Sequence, residues 1–109
     1  MSTTTFPIES RNGHPRAALS HPSFGAVPSI AILSTFPPTQ CGLATFAAAL
    51  AGGLQEVGVE ALGVIDVSDG GAVSGDQRVV AHLSPQSRKE RLNAVRHINS
   101  YDYLLIQHE

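Results

Sequence analysis

Apolar residues in this chain fall into short runs divided by turn formers and by stretches of helical spacing. Ile30 to Leu33 is apolar throughout and bounded by turn residues, the pattern of a strand covered on both faces. Pro37 and Pro38 end it, because proline cannot sit inside a central strand. Leu43, Phe46, Leu50, Leu54 and Val57 then recur at steps of three and four, which predicts a helix with that stripe against a core. Small residues offer a second way to pack the same helix: Ala47 to Ala49, Ala51 and the Gly52-Gly53 pair permit a close approach to a sheet. Each of those glycines costs the helix ~1 kcal/mol relative to alanine. Gly58 is a stop signal. Val59 to Val67 alternates and turns apolar, predicting a second strand and a right-handed βαβ unit.

Residues 68–77 read as a loop, with Asp69-Gly70-Gly71 and Gly75-Asp76 as turn chemistry. Arg78 to Leu83 predicts a short strand near a sheet edge, its direction left open. Ser87-Arg88-Lys89-Glu90 has the form of a helix capping box. Leu92, Val95 and Ile98 make the predicted inward stripe of that helix. Arg88, Lys89, Arg91 and Arg96 fall mostly on the other side, a solvated face or a contact for an anionic partner. Tyr103 to Ile106 predicts the last strand, followed by Gln107, His108 and Glu109. Residues 1–28 hold Pro7, Pro15, Pro22 and Pro28 and no sustained period, so a disordered tail is expected there. The fold class is α/β: a partial Rossmann-like parallel sheet over residues 29–109, following that tail. The ending, just after a strand, suggests the amino-terminal part of a larger protein. An uncovered last strand predicts self-association through an exposed sheet edge.

Composition narrows the class. The 109 residues are 42% hydrophobic and 15% charged, which fits a globular domain. A net charge of −2 gives no expectation of nucleic-acid or membrane affinity. One cysteine excludes an internal disulfide and a cysteine-based zinc cluster. No secretory signal or membrane span is read, and a cytoplasmic setting is expected.

The candidate chemistry lies at strand ends. A strand that feeds a helix through a glycine turn aims backbone amides at one spot, which favours an anion and phosphate above all. That turn is Thr39-Gln40-Cys41-Gly42. With the strand order 3-2-1-4, the last strand lies beside the first and their connections diverge, opening a crevice. The expected site therefore brings His108 near this turn. Gly42 and the Cys41 backbone would receive phosphate, His108 would position or deprotonate a hydroxyl, and Glu109 would orient the imidazole. Cys41 as a nucleophile finds no arginine at phosphatase spacing, and a small loop residue is the simpler reading. His82, His97 and His108 are too dispersed in sequence to predict a metal site, so none is expected. A nicotinamide site is disfavoured: the first turn has one glycine, not Gly-x-Gly-x-x-Gly, although Asp66 ends the second strand where a ribose-binding acid would lie.

Ile30-Ala-Ile-Leu-Ser-Thr-Phe-Pro-Pro-Thr-Gln-Cys-Gly-Leu-Ala-Thr-Phe46 resembles the opening of bacterial family 4 (group 1) glycosyltransferases. Tyr103-Leu-Leu-Ile-Gln-His-Glu109 resembles the strand and His-Glu segment that follows in the same domain. The resemblance covers residues 29–109. It implies a GT-B architecture with two Rossmann-like domains, of which this chain would be the first half of the acceptor domain. It further implies a retaining transfer of sugar from a nucleotide-sugar to an acceptor hydroxyl, with no catalytic metal and no cofactor, the nucleotide-sugar being a substrate. By similarity Gly42 approaches donor phosphate and His108 lies on the acceptor side. The donor domain has no counterpart here, so the chain alone is expected not to turn over. A reading from a different class is a non-catalytic α/β binding module.

Overall fold

The computed structural model describes residues 2–8, 27–68 and 74–108. Its elements are strand β1 (Ser2–Pro7), strand β2 (Ile30–Ser34), helix α1 (Gly42–Glu56), strand β3 (Leu62–Val67), strand β4 (Val79–Leu83), helix α2 (Arg88–Ile98) and strand β5 (Tyr103–His108). The five strands form one sheet in the order β1-β5-β2-β3-β4. β5, β2, β3 and β4 run parallel, and β1 is antiparallel to β5. Among the four parallel strands this is the 3-2-1-4 arrangement expected from sequence. The edge strand Val79–Leu83, whose direction sequence left open, is parallel to β3.

The expectation of a disordered tail over residues 1–28 needs correction at its start. Ser2–Pro7 pairs along all six residues with β5, from Ser2 opposite His108 to Pro7 opposite Tyr103. The Ile8 amide adds a bond of 2.9 Å to the Asp102 carbonyl. β5 is therefore an interior strand, and the sheet's edges are β1 and β4. Residues 9–26, the Asp69-Gly70-Gly71 turn and Glu109 lie outside the described residues.

The two helices cover opposite faces. α1 packs on Ile30, Ile32, Val64, Tyr103 and Leu105, while Ala94 and Ile98 of α2 pack on Leu33, Ile65, Val80 and Ala81. The residues of α1 that reach the sheet are Ala44, Ala47 and Ala51, all fully buried. Of the predicted stripe, Leu50 and Leu54 pack against this core, but Phe46 and Val57 are exposed. The small-residue face wins because alanine lets the helix backbone sit close to the strands. α1 stops where expected. Gly58 takes φ 103°, a conformation open to glycine. The Val59 amide bonds the Leu54 carbonyl and the Gly58 amide bonds that of Gln55, a Schellman closure with Val59 and Leu54 both in the core.

The central pair β2–β5 is pinned at its amino end. The Ser29 amide donates to Asp102 Oδ2 at 2.9 Å, and the Asp102 amide donates to Ser29 Oγ at 2.9 Å. On the α2 face Gly63 leaves room for Tyr101, whose hydroxyl occupies the space a Cβ would take. Among the described residues no helix is long and apolar enough to cross a membrane.

Candidate functional site at the carboxyl edge of the sheet

β2 runs from its buried apolar residues into Ser34, Thr35 and Phe36, then a cis Pro37-Pro38 bond. Phe36 folds back into the core under α1 and is 1% exposed. Arg78 lies over its ring, 5.4 Å from the centroid, and is held there by two bonds to Asp76, at 3.0 and 2.8 Å. The turn ends at Cys41, the N-cap of α1, whose backbone is extended. Its Sγ accepts from the Ala44 amide at 3.4 Å and lies 3.4 Å from Thr35 Oγ1. The Cys41 carbonyl accepts from the Thr45 amide at 3.1 Å, starting the helix. Gly42 and Leu43, the first two residues of α1, have no amide partner inside the helix by its geometry, and these amides carry its partial positive charge.

The helices leave β2 and β4 on opposite faces, so the switch in winding falls between β2 and β5. In open α/β sheets ligands settle beyond the carboxyl ends of strands at such a point. Gly42 and Cys41 stand just past the end of β2, and His108 is the last residue of β5. His108 is exposed and its Nε2 lies 2.9 Å from Thr4 Oγ1 of β1. Along β5, Tyr103 and Leu105 face α1, so the alternation carries His108 to the other face. The expected site had this ring beside the turn at residues 39–42; instead it faces away from α1 and meets Thr4 of β1, a neighbour the sequence did not reveal.

The α1 face at this edge has its own polar residues. Ile32, Val64 and Leu105 point to α1, and two residues further along each strand come Ser34, Asp66 and Gln107. Ser34 is level with Asp66, and Asp66 with His82. Gln107 is one residue beyond the Leu33–Ile106 pair, which sets it level with Ser34. Gln107, Ser34, Asp66 and His82 therefore form one row across β5, β2, β3 and β4.

Ser34, Asp66 and Gln107 are 3%, 0% and 6% exposed. Among the described residues, neither Ser34 Oγ nor the Gln107 amide atoms have a hydrogen-bond partner, and neither Asp66 oxygen has one of ordinary geometry. Each buried polar group left so costs ~1–3 kcal/mol. Asp66 Oδ2 has His82 Nδ1 at 3.5 Å. Burial pushes the Asp66 carboxyl above the usual aspartate range; His82 and the Phe36 backbone amide offset part of that. Asp66 was legible as a strand-end acid. Ser34 and Gln107 were not, because only the strand register aligns them with it. His82, His97 and His108 are not gathered: among the described residues no group of three or more His, Cys, Asp or Glu could hold a metal ion.

Comparison with protein-family models, with curated proteins and with solved structures found no match to this chain.

Proposed function

We infer that this chain is the acceptor-side part of a retaining glycosyltransferase that moves a sugar from a nucleotide-sugar to a hydroxyl group. The observation that carries the reading is the adjacency of β2 and β5. Parallel and hydrogen-bonded, they end together at the winding switch, one in the turn to Gly42 and the other in His108. In this reading the amides at Cys41 and Gly42 take donor phosphate, whose negative charge grows as the glycosidic bond breaks. His108 and Glu109 attend the acceptor hydroxyl. The resemblance of residues 30–46 and 103–109 to family 4 glycosyltransferases supports the same assignment.

The test is an amide-resolved NMR titration of the 109-residue chain with inorganic pyrophosphate and with uridine diphosphate. Shifts centred on Gly42, Leu43 and Ala44 are expected with both. Saturating shifts that leave these amides still, or none at all, would remove the phosphate assignment and leave a non-catalytic α/β binding module.

A further inference from the structure

All five buried polar side-chain atoms without a hydrogen bond of ordinary geometry, among the described residues, belong to Ser34, Asp66 and Gln107, Asp66 having only the looser approach of His82 and the Phe36 amide. Native proteins leave few such atoms, and scatter does not explain three residues in one register row. The row lies at the carboxyl edge on the face that also carries the amino terminus of α1. It has one end that solvent reaches: the His82 side chain is 34% exposed, beside Asp66 at 0%.

We propose that the row Gln107–Ser34–Asp66–His82 is a binding site for a neutral polyhydroxylated ligand, a sugar or sugar alcohol. The donor and acceptor inventory decides the class. Ser34 and Gln107 each donate and accept, while the Asp66 carboxylate accepts only. Hydroxyl groups answer all three, since each both donates and accepts. A phosphate would meet the Asp66 charge head on. A divalent cation is not favoured either, since among the described residues no group of three or more His, Cys, Asp or Glu could hold one. An apolar ligand would leave every one of these groups unsatisfied. Neighbouring members stand about 4.8 Å apart, the strand spacing, so the ligand must present several hydroxyls along one edge. Entry is from the His82 end. The interior atoms are closed to solvent, and the Phe36 amide lies against Asp66. Binding therefore displaces the turn that starts at Phe36. The site rests on the transferase reading only for calling its ligand an acceptor.

The experiment is an NMR titration of the whole chain with glucose, mannose, galactose and myo-inositol in turn, each to high millimolar concentration. At least one is expected to shift the Ser34 amide and the Gln107 side-chain amide and to broaden residues 35–40. Ser34→Ala is expected to weaken that binding about tenfold, the loss of one hydrogen bond to the ligand. The same change should raise the urea midpoint of the free protein, because it removes an unsatisfied hydroxyl. A structural hydroxyl would do the reverse. Gln107→Met supplies the same two readouts if the first variant does not fold. No shift along the row with any of these polyols, or binding unchanged in the variant, would overturn the proposal. Polyol shifts without pyrophosphate shifts at Gly42 to Ala44 would keep the row and remove the transferase reading. The converse would remove the row alone.

Discussion

Asp66, near the carboxyl end of β3, and Asp76, in the turn that precedes β4, sit in environments that drive their acidities apart. Asp76 is held at about 2 by its hydrogen bonds to Arg78, against an ordinary value of 3.8. Its stabilising contribution is therefore present above 3.8 and lost as pH falls through about 2. Asp66 runs the other way. Its carboxyl is raised above 3.8, chiefly by burial, so its contribution is present below that value and lost as pH rises through the folded-state one. Asp66→Asn should gain stability relative to the parent as pH climbs above 3.8, and Asp76→Asn should lose stability at neutral pH with the deficit closing in acid. Urea midpoints of both variants against pH check this. A parent-to-Asp66→Asn difference that is flat in pH would remove the argument from burial. It would also remove the picture of Asp66 as a carboxylate held from water without adequate partners.

At the scale of elements, α2 depends on its first turn. Ser87 Oγ accepts from the Glu90 amide at 3.2 Å. The Glu90 carboxylate, which a reciprocal capping box would return to the Ser87 amide, instead accepts from the Ser84 amide at 2.7 Å. That links the helix to the turn leaving β4. Ser87→Ala should cost ~1 kcal/mol, within the range for lost N-caps. Hydrogen exchange should locate the loss in the first turn of α2, with the Glu90 amide released first; uniform loss across the sheet would contradict a cap. The cap was legible in the sequence because its spacing is local. The buried face of α2 was not. Leu92 and Val95 were expected inward with Ile98, yet they are 55% and 52% exposed, and Ala94 is the buried residue. Hydrophobicity ranks leucine and valine above alanine, but the sheet is met by the face carrying Ala94 and Ile98, four residues apart. The same preference for alanine governs α1, where the small-residue alternative was visible in the sequence as a cluster around Ala47. Helices that lie close on a twisted sheet select for what fits between backbones, and periodicity of large apolar residues misreads them.

For the whole molecule, the order of the parallel strands is the common 3-2-1-4 arrangement that the sequence analysis adopted, while the antiparallel edge was not legible. β1 is a threonine-rich segment with little apolar signal, and its partner lies at the far end of the chain, Ser2 opposite His108. Only the tertiary fold brings them together, and in doing so it alters both functional and colloidal expectations. Functionally, it places Thr4 against His108, so a candidate acceptor-side imidazole is set by a segment outside the parallel core. Colloidally, it covers the strand whose exposure predicted association. β5 carries Leu104, Leu105 and Ile106, and without β1 its outer row of amides and carbonyls would be open to a second chain. The remaining edges are poorer templates: β1 is half threonine and ends at Pro7, and β4 has a register shift opposite Val64 and Ile65. Removing residues 2–8 should therefore convert the protein to one that associates more strongly at equal concentration, as read by sedimentation equilibrium. Circular dichroism should retain the helical signal, since neither α1 nor α2 packs through β1. Identical sedimentation of the two forms would mean that β1 does not guard β5. The hydrogen bond between Thr4 and His108 makes the same deletion informative at the site: the His108 ring resonances should move even where the sheet survives.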